Sequence, residues 1–410
     1  MKKRTFMIVL VCFCVSFLAF SIMVERCEAK KPIKLGVVTA KSSFLAYHGK
    51  YAEWGYNMAV EEVNGKGGVL GRPIQIIWRD TKCKPDVATR EARDLVYGEK
   101  VDFLLGCFIT STTNAVSAFA KENKVLFLGS GSGVGLTEEL WHRHFFRTSA
   151  STSMIAKAEA IALKEEGYRN VWFIAPDYAF GHMWTEGSKR YLKELIPGVN
   201  FLGESWSPLG EKDFGPYIAD MSRAKPEVIL SGLFGSDQGA FVKQANSFGL
   251  FKNTQYAADL GPESLRPLGL EVPEGLIGLS YYEFLVPDIP ENKRFANTFH
   301  EKYGDYPSRE AMHYYNAIHL LALAVEAAGT TDTDAVIKAL EDKVRFKSPM
   351  GELYFRKIDH QISMPLVVGK TMKYPGVDYL IVAKEAKALQ GEDLWHSEEE
   401  VLSRRKAAQK

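Results

Sequence analysis

From Ile33 onward, short apolar runs alternate with amphipathic helical stretches, and this alternation, carried through twice, restricts the fold more than any other feature. IKLGVV (33–38) reads as a strand, and Tyr47 to Val63 reads as a helix with Tyr47, Tyr51, Trp54 and Met58 at helical spacing, stopped by Asn64 and Gly65. A strand follows at 74–78, then a helix after Pro85 with Ala88, Ala92 and Leu95 on one face, a strand at 101–106, a helix over 113–123 and a strand at 125–130. Such a series folds as a parallel sheet covered by helices on both faces. The pattern restarts after Ser149: helix 152–166, strand 170–175, helix 181–195, strand 200–206, helix 214–223, strand 227–232. Two similar α/β lobes are expected, with further helices at 236–249, 291–303, 308–328 and 332–343. After Lys384 the sequence turns charged, which predicts a tail that is a surface helix or disordered.

The start of the chain bears on location. Lys2, Lys3 and Arg4 precede an uncharged stretch from Thr5 to Val24, the pattern of a secretory signal. Cleavage is expected after Ala29, leaving a mature start at Lys30; an uncleaved anchor is the alternative, since a stretch of this length could just span a bilayer. With 51 Lys plus Arg against 50 Asp plus Glu, the chain lacks the basic excess that neutralising phosphates requires, so nucleic acid is not an expected partner. Cys12, Cys14 and Cys27 leave with the signal, and Cys83 and Cys107 alone enter an oxidising compartment. Export and an even count predict a disulfide between them, with two buried thiols as the alternative.

Catalytic and cofactor motifs fail when tested. In the run GSGSGVG (129–135), the third glycine of a dinucleotide fingerprint would fall at Val134 or Leu136. Gly369-Lys370-Thr371 ends like a phosphate loop, but the glycine required five residues earlier is Met364. There is no GxSxG and no HExxH, and the His142/His144 pair is expected to be a surface feature, with no metal site.

Loops after strands look more like a site, because doubly wound sheets bind ligands beyond the carboxyl ends of their strands. Thr110, Ser111, Thr112 and Thr113 crowd a helix start, where hydroxyls and free N–H groups suit a carboxylate; ordinary capping is the alternative. Gly131, Ser132 and Gly133 let backbone approach a ligand after the next strand. In the second lobe Tyr178, Phe180 and Phe234 follow strands and can cover an apolar ligand group, or simply pack. Asp259 is a candidate partner for a ligand cation, in competition with Glu263 and Asp177.

Taken with NGKGGVLGRPIQIIWRDTKCKPDVATREARDLV, FVKQANSFGL and GELYFRKIDHQ, these segments resemble the branched-chain amino acid (leucine/isoleucine/valine-binding) family of solute-binding proteins of ABC importers, over roughly residues 33 to 382. The resemblance implies an α/β, type I periplasmic binding protein: two doubly wound lobes joined by three crossovers, with the ligand cleft between them. On that pattern the crossovers fall near 147–150, 275–282 and 345–355. The first 29 residues are then the signal, 30–148 and 281–347 the N-terminal lobe, 149–280 and 348–383 the C-terminal lobe, and 384–410 a charged tail. It also implies that loops matching Thr110 to Thr112 and Gly131 to Gly133 grip the ligand's charged ends, while Tyr47 or His48 with Tyr178, Phe180 and Phe234 line its pocket. Cys83 and Cys107 fall near the halves of a disulfide that some members carry.

Gly133 stands where a threonine is common and Phe234 where a hydroxyl-bearing ring is common, so the implied ligand class extends from amino acids to amides and aromatic acids. The expectation is a monomeric periplasmic receptor, without cofactor or catalysis, that hands a small molecule to a permease driven by ATPase subunits. A ligand sensor of the same fold feeding a signalling partner, and an exported enzyme of unrecognised type, are the rival readings.

Overall fold

The computed structural model describes residues 30–42 and 45–409, so the signal segment and its cleavage after Ala29 lie outside the described residues. The first lobe is built on β1 (Ile33–Thr39), β2 (Ile74–Asp80), β3 (Phe103–Gly106), β4 (Phe127–Gly129) and β5 (Phe145–Arg147), in the order β2-β1-β3-β4-β5. All its pairings are parallel. Between the strands run α1 (Ala46–Gly65), α2 (Pro85–Arg93) and α3 (Thr110–Asn123). The central strand β3 is buried at every position, as expected where helices cover both faces.

The second lobe holds β6 (Asn170–Pro176), β7 (Asn200–Ser207), β8 (Val228–Ser231), β9 (Gln255–Asp259) and β10 (Ile277–Ser280), with α4 (Thr152–Glu166), α5 (Ala179–Leu195), α6 (Gly215–Ala224), α7 (Gly235–Ser247) and the short α8 (Pro262–Leu265). The chain then returns to the first lobe through α9 (Pro290–Tyr303), α10 (Arg309–Ala328) and α11 (Thr333–Asp342), makes a hairpin of β11 (Phe346–Ser348) and β12 (Gly351–Leu353), and finishes the second sheet with antiparallel β13 (Leu366–Met372) and β14 (Ile381–Leu389). The order of that sheet is β14-β13-β10-β9-β8-β6-β7.

Helix α10 packs on α1 so closely that a Cβ on Gly55 would stand 2.2 Å from the Ala311 carbonyl oxygen. Backbone cannot yield as a side chain can, so Gly55→Ala is expected to cost about 1–3 kcal/mol, the range for overpacking. Urea unfolding checks this; a change within about 0.5 kcal/mol, typical of neutral surface sites, would refute the tight approach.

Four expectations are corrected. No disulfide joins Cys83 and Cys107 among the described residues. They lie in the turns that follow β2 and β3, the two neighbours of β1. Burial instead pushes the Cys107 thiol up to about 12. The His142/His144 pair is buried; Ser117 Oγ meets His142 Nε2 at 2.8 Å, and burial pushes that imidazole down to about 4.

The third crossing comes later than 345–355. Arg147 still pairs with His360 and Ile362 alongside β5, so the chain leaves the first lobe only between there and β13. The charged tail takes the surface-helix alternative over 398–407, but it begins later than Lys384 and contacts both lobes. Lys384 to Leu389 complete β14, and α12 (Gly391–Leu394) and α13 (Glu398–Ala407) form a strap. His396 bonds Glu138 of the first lobe at 2.9 Å and Ser153 of the second at 2.6 Å, while Arg404 pairs with Glu138 and Arg190 with Glu400. Paired charges at the two ends of α13, acidic first and basic last, complement its dipole.

Candidate functional site

Beyond the carboxyl ends of β3 and β4, the first lobe brings Thr110 and the glycine loop together. The Gly133 N–H donates to Thr110 Oγ1 at 3.1 Å, and a Cβ on Gly133 would meet Thr110 Cγ2 at 2.4 Å, so only glycine admits this contact. Ile109 supplies no side-chain cap to α3, which leaves first-turn N–H groups and the positive end of the dipole facing the loop. Ser111 is exposed and Ser132 half-buried. Thr112 differs: its hydroxyl is buried and donates to the Ile109 carbonyl at 2.9 Å, as does Thr113, so both hydroxyls are spent on the backbone.

Sequence reasoning missed what holds this loop. Arg147, wholly buried at the end of β5, donates from Nη2 to the Gly133 and Val134 carbonyls and Thr137 Oγ1 at 2.8, 3.1 and 2.9 Å, and from Nη1 to the Ser132 carbonyl at 3.3 Å. Thr152, opening α4, adds its N–H and hydroxyl to Ser132 at 2.7 and 2.8 Å. Burial pushes the Arg147 guanidinium down to about 10, with Glu138 and Asp359 opposing. The available signal was a charge closing the apolar strand FFR.

In the second lobe, the three aromatic candidates form one cluster. Tyr178 and Phe234 occupy the N-cap positions of α5 and α7, at the carboxyl ends of β6 and β8. Phe180 lies between them, with ring centroids 5.9 Å from Tyr178 and 6.0 Å from Phe234, the second contact edge-on. Tyr178 and Phe234 remain 36% and 40% exposed, unusual for rings of this size and suited to covering a ligand. Burial pushes the Tyr178 hydroxyl up to about 12, so it stays a neutral donor.

Two arginines tie the lobes across the cleft. Arg266, after α8, donates to Tyr47 and Tyr51 of α1 and pairs with Asp305 at 2.6 Å. Arg309, opening α10, pairs with Asp259 of β9 at 2.7 Å and lies 2.8 Å from Glu263. Asp259 therefore does meet a cation, but one from its own chain. His48 bonds Glu310 at 2.8 Å and stacks on Phe108 at 4.8 Å. Asp177 is apart from this group, paired with His182 at the exposed start of α5.

Burial, helped by Glu310 and Asp259 against Arg309, pushes the Glu263 carboxyl up to about 7. Burial also acts to raise Glu310, but His48, Arg309 and the Ser308 hydroxyl outweigh it and hold that carboxyl well below the usual range. Neither arginine, nor Glu310, carried a motif that sequence could read.

Two α/β lobes, one with hydroxyls and helix-end N–H groups beyond its strand ends and the other with exposed aromatic rings beyond its own, are the architecture of a solute-binding protein. The chain belongs to the periplasmic binding protein family, whose profile matches residues 32–373. It is similar to a leucine-, isoleucine-, valine-, threonine- and alanine-binding protein of Pseudomonas aeruginosa, at 22% identity over 80% of this chain and 86% of the relative. A solved periplasmic binding protein from Burkholderia mallei superposes with a TM-score of 0.79 at 25% identity, over 90% of this chain and 98% of that one. A solute-binding protein from Rhodopseudomonas palustris, solved with 3,4-dihydroxybenzoic acid, shares the fold with a TM-score of 0.77 at 23% identity, covering 88% of this chain and 98% of the other.

Proposed function

We propose that the protein is exported by a signal cleaved after Ala29 and works as a monomer in the periplasm. It captures a small carboxylate-bearing molecule and presents it, lobes closed, to a membrane permease driven by ATPase subunits. The observation that carries this reading is the pairing of an uncapped α3 terminus, flanked by Thr110, Ser111 and Ser132, with the exposed cluster of Tyr178, Phe180 and Phe234. The first suits an anionic end and the second an apolar body. One lobe binds first, and closure adds the other lobe's contacts and excludes water, so the closed state is populated by its differential affinity for ligand.

A thermal-shift screen of the mature protein against amino acids, amides, urea, polyamines and aromatic acids tests this, because a ligand bound only by the folded state raises stability by mass action. The expected result is a large shift with one carboxylate-bearing class and recovery of that ligand intact after denaturation. Silence from every carboxylate, or turnover of the ligand, would sink the reading. With the responding ligand, Thr110→Ala is expected to weaken binding by about 1–3 kcal/mol, the worth of a hydrogen bond to a charged group. Unchanged affinity by calorimetry would remove Thr110 from the site.

A further inference from the structure

Arg309 is surrounded in the way a protein surrounds a ligand's cation. Its guanidinium meets Asp259 Oδ2 at 2.7 Å, Glu263 Oε1 at 2.8 Å and Glu310 Oε1 at 3.0 Å. Its central carbon stands 5.4 Å from the Phe108 ring centre and 4.8 Å from that of Tyr281. Carboxylates and aromatic faces are the groups that hold ammonium and guanidinium ligands. The side chain is only 12% exposed, and it reaches from the first lobe into the carboxyl end of β9 in the second, where a ligand between the lobes would also lie. The enclosure also holds acceptors that Arg309 leaves unsatisfied: buried Asp259 Oδ1 and Glu263 Oε2 have no hydrogen-bond partner among the described residues.

We propose that Arg309 is a built-in occupant of a cation subsite, and that it sets the specificity of the cleft by denying that subsite to a ligand's ammonium group. This rests on the reading of the cleft as the ligand site. Asp259, the acid that would answer an α-ammonium, already pairs with Arg309, and a second cation placed beside the guanidinium is repelled by it. The ligands that fit are organic carboxylates with an apolar or aromatic body and no α-amino group. Affinity comes from the α3 terminus and the ring cluster alone.

Two experiments test this independently. In calorimetry with the wild-type protein, matched pairs differing only in the amino group are compared: 4-methylpentanoate with leucine, and 3-phenylpropanoate with phenylalanine. The expected result is that the des-amino member of a pair binds at least about tenfold tighter, a difference of roughly 1.4 kcal/mol. Equal or tighter binding of the amino acid overturns the proposal, and silence from both pairs overturns the ligand class it names.

In the second experiment, Arg309→Ala is titrated with methylguanidinium chloride at millimolar concentration in a thermal-shift assay, against potassium chloride at equal ionic strength. Methylguanidinium is expected to raise the melting temperature of the variant and not of the wild type, and the variant is expected to gain affinity for leucine or phenylalanine. A variant that folds but responds to neither overturns the internal-occupant role even if the wild type binds organic acids, so the two readings fail separately. Should Arg309→Ala not fold, Arg309→Gln, which keeps the side chain's length, takes its place, and the wild-type comparison decides without any variant.

Discussion

Arg147→Ala is expected to destabilise the protein by about 3–5 kcal/mol, the range for truncating a large, fully buried side chain. It is also expected to weaken ligand binding by about tenfold or more. Three consecutive carbonyls, those of Ser132, Gly133 and Val134, face this guanidinium, and alanine would leave them without their donor and a large cavity in its place. Relief from burying a charge offsets part of the loss, since burial already pulls the Arg147 guanidinium down to about 10. The carbonyl contacts win because they fix a loop whose glycines otherwise have the widest conformational freedom. Arg147→Lys restores charge but not the fork, and it should recover only part of the stability. Chemical denaturation and calorimetry check both. A loss below about 1 kcal/mol would mean that Thr152 and Thr110 suffice to hold the loop.

Glu283 should make stability fall as pH rises through about 8, an effect opposed below about 6.5 by buried His142, whose imidazole burial holds neutral in the folded state. Its carboxyl is fully buried just after β10, and burial pushes it up to about 8 from an ordinary 4.5, against the Val382 and Phe284 N–H groups that favour its ionised form. Because its folded value is raised, the folded state holds a proton that the unfolded chain has released. The stabilisation is fully present below about 4.5 and is lost as pH climbs through 8. At about 1.36 kcal/mol for each step of one in pKa, the span is on the order of 5 kcal/mol. Glu263, pushed up to about 7, adds in the same direction. Urea unfolding at pH 6.5 and pH 8.5, above the ordinary histidine range, should show the loss in wild type and a markedly smaller one in Glu283→Gln. Parallel losses in the two proteins would clear Glu283.

Strands and helices were legible because they answer to local rules. The helices expected at 152–166, 291–303 and 308–328 lie within a residue of α4, α9 and α10, since their apolar periodicity and their stops are written in adjacent residues. Thr110 and Gly133 were legible as neighbours beyond the strand ends for a related reason, each following a strand in a parallel sheet, where the topology itself places candidate ligand loops. Asp259 was legible as an acid near the cleft, but its partner was not. Arg309 lies fifty residues on, and nothing near it in sequence marks it.

The tail shows the same limit. Its charge run reads as solvated, yet His396 and the arginines of α13 meet Glu138 some 260 residues earlier. Long-range ion pairs carry no periodicity, so no local pattern can announce them, and whether a charge is solvated or paired depends on which surfaces the fold brings together.

By itself, then, the sequence determined two parallel α/β lobes, their helix boundaries and the strand ends that carry the ligand loops, because propensity, periodicity and capping act over a few residues. Only the tertiary structure decided that no disulfide joins Cys83 to Cys107, that Arg147 grips the glycine loop, that the tail straps both lobes and that Arg309 lies among the acids of the second lobe. Each of those is a distance or an ion pair between distant segments, fixed by how sheets and helices pack.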